Sequence, residues 1–150
     1  FIEKQKRRVE YVSKNEITKN SNDVDLYKVF IPANAGSGND PYIIGKPEIA
    51  ERNSVCSQSY LYAAFETEEE AVNFVKYMKT KFFRLLVKAA KITQGASSKV
   101  YRFVPKQDFS NNSDINWHED IENIDHQLCE KYELEQEEME YINNTIKPLE

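Results

Sequence analysis

The spacing of apolar residues divides the chain into short extended runs, one long helix and a helical C-terminal stretch. Leu26 to Ile31 has the β-branched and aromatic bias of a strand, and Pro32, which cannot donate to a ladder, ends it. Ser59–Phe65 predicts another strand of this kind, and shorter ones are predicted at Val9–Val12 and, after a loop carrying Gly36-Ser37-Gly38, at Tyr42–Ile44. Thr67 with Glu70 three positions on is a capping box, in which each side chain satisfies the other's free backbone N–H, and it starts a helix. From there Ala71, Phe74, Val75, Met78, Phe82, Leu85, Leu86 and Ala89 recur at three- and four-residue spacing. That spacing predicts one buried stripe over about six turns, on a single helix Glu68–Thr93 that Gly95 stops.

After the helix, Val100, Arg102 and Val104 alternate with Tyr101 and Phe103, which predicts a strand over Lys99–Val104 closed by Pro105. Two helices are predicted beyond Asp108, at Ile121–Tyr132 and Glu135–Ile146, the second with Met139, Ile142 and Ile146 on one side. The pattern holds no internal repeat. It predicts an α+β fold, a small mixed or antiparallel sheet packed on a long amphipathic helix, with a C-terminal helical segment. Along the chain this divides into a polar lead-in at 1–22, a core at 23–107 and an acidic helical segment at 108–150.

Composition adds little to the fold but bounds the class. The 150 residues suit one domain, and 40% apolar with 12% aromatic residues is enough for a packed core. No apolar run approaches the roughly 20 residues a bilayer span needs, and the basic N-terminus lacks a signal core, so a cytoplasmic protein without membrane contact is expected. Cys56 and Cys129 are far apart and without neighbours at metal-ligand spacing, which favours free thiols.

Charge changes the picture more. The net charge of −5 hides a segregation: residues 71–107 carry nine Lys and Arg and no acid, whereas residues 108–150 carry two against thirteen acids. A local patch of one sign, rather than the total, sets the field that a phosphate backbone feels. On the predicted helix Lys81, Arg84, Lys88 and Lys91 fall within roughly 80° of arc beside the apolar stripe. A solvated cationic face is the ordinary reading of such a run; the absence of any acid from Ala71 to Gln107 favours a phosphate-contacting edge instead.

The loop that follows, Thr93-Gln94-Gly95-Ala96-Ser97-Ser98-Lys99, offers small hydrogen-bonding side chains and one amide, of the types that pair with base edges and phosphate oxygens. It reads equally as a plain helix-to-strand connection. Phosphate contacts are expected from Lys81, Arg84, Lys88, Lys91 and Lys99, with Thr93, Gln94, Ser97, Ser98 and Arg102 nearest to bases. His118 and His126 sit among acids and read as a solvated face rather than a metal site. No nucleophile and base converge, and no strand leads into a Gly-rich turn with a following acid that could hold a nucleoside cofactor.

Several ordered blocks carry a family resemblance. Lys79-Thr80-Lys81-Phe82-Phe83-Arg84-Leu85-Leu86-Val87, then Lys91-Ile92-Thr93-Gln94, then Val100-Tyr101-Arg102-Phe103-Val104-Pro105-Lys106-Gln107-Asp108-Phe109 make up the central part. Lys28 to Pro32, Gly36-Ser37-Gly38, Ile44-Gly45-Lys46-Pro47 and Ser59-Tyr60-Leu61 precede them, and Trp117, Leu128, Lys131 to Leu134 and Glu138 to Leu149 follow. From about Val9 to its end the chain resembles the C-terminal target-recognition region of restriction-modification N6-adenine DNA methyltransferases, including those fused to an endonuclease. Glu133 stands where the pattern has glycine.

The resemblance implies a bacterial domain that contacts double-stranded DNA beside an N-terminal methyltransferase domain outside residues 1–150. That domain would use S-adenosylmethionine to methylate a flipped adenine. Asp40-Pro41-Tyr42 lacks the second proline of the Asn-Pro-Pro-Tyr catalytic tetrapeptide and reads as a turn. No catalytic residue, cofactor or metal is therefore expected within the chain. The alternative is a protein-interaction module whose basic middle pairs with a partner or with its own acidic segment.

Overall fold

The computed structural model describes residues 9–33, 43–91 and 98–148. Its sheet is built from β1 (Tyr27–Pro32), β2 (Glu48–Ala50) and β3 (Tyr60–Phe65), antiparallel, in the order β2-β1-β3. Tyr27 lies opposite Phe65 and Pro32 opposite Tyr60, while β2 pairs Val29 with Ile49 on the other side. Ile43 and Ile44 form a bend rather than the expected strand, and the third strand falls at Glu48–Ala50, three residues too short to show a period. No strand forms at Val9–Val12, where Val9 and Tyr11 are 87% and 96% exposed: an extended run with no partner and no burial has nothing to hold it.

Short turns at Lys14–Glu16 and Ser21–Asp23 lead into the sheet, fastened by the Lys14–Asp25 ion pair and by the Tyr62 hydroxyl donating to Asp23 Oδ2 at 2.7 Å. On that side Lys28 is buried, its ammonium donating to the carbonyls of Val24 and Leu26 at 3.1 and 2.7 Å; burial draws its pKa down.

The capping box at Thr67 and Glu70 forms as the sequence predicts and opens α1 (Glu68–Lys79). The predicted single helix is broken at Thr80, whose ψ of 151° is extended, and α2 (Lys81–Ala90) starts afresh. Thr80 serves both ends: its hydroxyl donates to Tyr77 O at 2.7 Å and accepts from Phe83 N at 3.2 Å. The next two free N–H groups, of Lys81 and Phe82, donate to the Asp125 carboxylate at 2.7 and 2.8 Å, so a residue 44 positions away completes the cap of α2.

The strand expected at Lys99–Val104 is instead the one-turn helix α3 (Ser98–Tyr101) followed by a turn. The i, i+4 pair Val100 and Val104 packs as helix-like neighbours against the core. From Pro105 to Asp120 the chain is irregular, and donors reaching carbonyls across it satisfy the backbone that helix or strand would otherwise pair. The Tyr77 hydroxyl donates to Pro105 O, Asn73 to Phe109 O, Trp117 Nε1 to Asp108 O and Lys76 Nζ to Trp117 O, at 2.6–2.9 Å.

The C-terminal helices fall as predicted, α4 at Ile121–Lys131 and α5 at Gln136–Thr145. Their packing departs from the three-part division. Val29 and Ile31 of β1, Tyr77 and Met78 of α1, Phe82, Phe83 and Val87 of α2, and Ile115, Trp117, Ile124 and Leu128 beyond Asp108 are buried in a single cluster, so 107/108 is no boundary in the core. Fold class is α+β. Among the described residues no helix is long and apolar enough to cross a membrane.

The glycine expected at position 133 has a structural counterpart. Glu133 adopts φ 53°, Leu134 N donates to Cys129 O and Glu133 N to Glu130 O, the paired bonds of a Schellman ending to α4. A left-handed non-glycine residue costs about 1–2 kcal/mol, part of which glycine's freedom in the unfolded chain returns. Glu133→Gly is expected to stabilise the fold by about 0.5–1 kcal/mol, read as a raised urea midpoint at unchanged m-value; a lowered midpoint would contradict the assignment.

Candidate nucleic-acid interface

Helix α2 lies between the core and the acidic helices α4 and α5, and this splits its cationic arc. Arg84 is fully buried. Its Nε donates to Lys79 O and Thr80 O, both at 3.2 Å, and Nη2 donates to Lys147 O at 2.7 Å. Burial draws its pKa down and the nearby Asp125 opposes this. Arg84 is thus a correction to the expected phosphate contacts: its side chain turns toward α4 and α5 instead of solvent.

Lys81 follows it part of the way, half-buried and donating through Nζ to Asn143 Oδ1 at 2.7 Å. Lys91, also half-buried, donates to Ile43 O at 2.9 Å, holding a β-branched residue at φ 59°. Of the four cations of the predicted arc only Lys88 stands exposed. Thr93, Gln94 and Ser97 lie outside the described residues, as does the Asp40-Pro41-Tyr42 turn, and Ser98 opens α3.

A second group of cations comes together where the sequence predicted a strand. α3 packs on α2, and within eight residues it and the following turn present Lys99, Arg102 and Lys106, all exposed. Among the described residues none of these three, nor Lys88, forms an ion pair. Between them Phe103 is 59% exposed, with the Arg102 guanidinium 4.7 Å from its ring centre. Sequence reasoning missed Phe103, since alternation put it on the opposite strand face from Arg102; the adjacency Arg102-Phe103 was the available signal.

The inner side of the same stretch is aromatic. Tyr101 packs against Phe83 with ring centres 6.2 Å apart, and Phe109 against Phe74 at 5.3 Å. Burial pushes the Tyr101 phenol up to about 12. Gln107, buried, donates to the Tyr132 hydroxyl at 2.7 Å and accepts from Lys131 at 2.9 Å, which pins the base of the turn to α4.

The acidic side holds His118 and His126 at the surface, 4.0 Å from Glu69 and 3.6 Å from Glu130. Among the described residues no group of three or more His, Cys, Asp and Glu is placed to hold a metal ion. Cys56 and Cys129 are free thiols, and burial pushes Cys129 up to about 11, away from the reactive thiolate. What these residues can do is electrostatic: exposed cations that form no ion pair among the described residues, one of them lying against an exposed ring, can contact phosphates and meet a base face.

Comparison of the chain with protein-family models, curated proteins and solved structures finds no match.

Proposed function

We propose that the chain binds double-stranded DNA as the target-recognition domain of a restriction-modification adenine-specific DNA methyltransferase. The partner domain carries S-adenosylmethionine and the methyl-transfer chemistry. The observation that supports this best is the run of exposed Lys99, Arg102 and Lys106 within eight residues, with exposed Phe103 against Arg102 and Lys88 on the adjoining helix, none of the cations ion-paired among the described residues. Unpaired cations exposed together repel one another, and a phosphate backbone relieves that repulsion by releasing its counterions.

The test is the affinity of the whole chain for a pool of random duplex DNA at about 50 and about 200 mM salt. Four phosphate contacts predict roughly a hundredfold loss between the two, and replacing Lys99, Arg102 and Lys106 by alanine is expected to flatten the log–log slope by about 0.9 per cation. Absence of binding at low salt, or an unchanged slope in the triple variant, rejects the reading.

A second reading rests on a different surface. Between α2 and α5 an apolar groove of about 420 Å³ is lined by Leu85, Leu86, Leu134 and the 62% exposed Tyr141, with Glu137 and Glu138 on its rim. A protein partner, such as the methyltransferase domain, would seat there, and the chain would then be indifferent to DNA at either salt.

A further inference from the structure

A strand at the edge of a sheet offers unpaired N–H and C=O groups to any other strand, and folds ordinarily guard such edges with charge, proline, a bulge or brevity. β2 is guarded in this way, three residues long and beginning with Glu48. β3 is not: Tyr60-Leu61-Tyr62-Ala63-Ala64-Phe65 is six residues without a charge, a glycine or a proline, in unbroken register with β1. Ala33 N donates to Ser59 O, so in that register Leu61, Ala63 and Phe65 turn their backbone groups to β1, while Tyr62 and Ala64 turn theirs outward. No strand among the described residues meets that outer side.

The lead-in has the complementary deficiency. Val9, Tyr11 and Val12 are 87%, 96% and 56% exposed, in a segment that neither forms a helix nor pairs with a strand. Two β-branched residues and an aromatic one in so short a run suit a pleated, half-buried surface. Their own sheet does not take them up. The middle of β3, Leu61 to Ala63, meanwhile borders an apolar cleft of about 390 Å³ whose other walls include Phe74, Tyr101 and Val104.

We propose that Val9–Val12 of one copy adds as an antiparallel strand to the free edge of β3 in a second copy of this chain, which returns the same strand to the first. Such an exchange meets the two-fold rule for dimers, since the same pair of surfaces is used twice. With Tyr11 opposite Ala63, Glu10 falls opposite Ala64 and Val12 opposite Tyr62, where the outward backbone groups pair. Val9 and Tyr11 then share the face of Leu61 and Ala63 and cover the mouth of the cleft, whereas Glu10 and Val12 lie on the other face. The pairing does not depend on DNA binding.

Sedimentation velocity of the full chain tests it. Two short strands make a small interface, so a weak dimer is expected, minor at about 0.01 mM and dominant at about 1 mM. Tyr11→Lys, at a position 96% exposed, is expected to leave the melting temperature of the dilute chain unchanged and to raise the dissociation constant about tenfold or more. Tyr11→Cys with Ala63→Cys, in a Cys56→Ser chain, sets two thiols directly opposite in a non-hydrogen-bonded pair. Mild oxidation is expected to give a disulfide-linked dimer on a non-reducing gel.

A monomer throughout that range overturns the inference, as does a dimer that Tyr11→Lys leaves intact. So does the absence of the disulfide-linked dimer, whether because no disulfide forms or because Val9–Val12 closes on β3 of its own chain and the disulfide stays within it.

Discussion

A chain ending at Gln107 is expected not to fold. The segment beyond it supplies Ile115, Trp117, Ile124, Leu128, Ile142 and Ile146, each at most 5% exposed. Burying one such side chain contributes about 1.5–3 kcal/mol relative to leaving it exposed, so six contribute roughly 9–18 kcal/mol. Whole domains have a net stability of about 5–15 kcal/mol. The loss therefore exceeds what the remainder can hold, quite apart from the free N–H groups that loss of Asp125 leaves on α2.

Residues 1–107 should show no cooperative thermal transition by far-UV circular dichroism and no dispersed amide spectrum. In the full chain Trp117→Ala, which removes one ring from the cluster and the bond from Nε1 to Asp108 O, should lower stability by about 3–5 kcal/mol while keeping a cooperative melt. A cooperative transition in the shortened chain would show two cores. The acidic segment is thus no detachable cover over the cations, and its removal cannot reveal a hidden DNA surface.

What was legible in the sequence was local. β1 and β3 stood out because β-branched and aromatic residues run up to Pro32 and up to the Thr67 cap, and α4 and α5 because their apolar positions recur within single helices. The break at Thr80 was not legible: the apolar spacing runs straight through it, no Gly or Pro marks it, and half of the new cap comes from Asp125. The strand predicted at Lys99–Val104 failed for the opposite reason. Alternation over six residues also places Val100 and Val104 four apart, and tertiary packing decided between the two periods.

The candidate site divides in the same way. The charge block at 71–107 was visible in the sequence, as was the three- and four-residue spacing of Lys81, Arg84, Lys88 and Lys91, since both depend only on residue type and position. Which part of the arc meets solvent depends on where α4 and α5 pack, and no periodicity in residues 81–91 carries that information. Lys99 and Arg102, named from the sequence for other reasons, are exposed, whereas Lys106 and Phe103 join them only because the chain turns after α3.

Arg84 carries the last prediction. Arg84→Ala is expected to cost about 3–5 kcal/mol, because it opens a cavity, removes the donor shared by Lys79 O, Thr80 O and Lys147 O, and strips a cation from beside Asp125. Arg84→Met keeps most of the volume and should cost less. Both variants, at temperatures where they are folded, should bind duplex DNA with the parent slope; a slope flatter by about 0.9 would restore Arg84 as a phosphate contact.

The pH dependence separates the electrostatic part of the loss from the packing part. Burial pushes the Asp125 carboxyl above its ordinary 3.8, against the pull of the Phe82 and Lys81 N–H groups and the charges of Lys81 and Arg84. Without Arg84 it rises further. A carboxyl whose native pKa lies above its unfolded value holds its proton more tightly in the fold, so its contribution is fully present below 3.8 and is lost as pH rises through the native value. The deficit of Arg84→Met against the parent chain should therefore be largest at neutral pH and narrow as pH is lowered toward 3.8, measured by urea unfolding at each pH. A deficit independent of pH would mean that Arg84 holds the fold through its carbonyl bonds and packing alone.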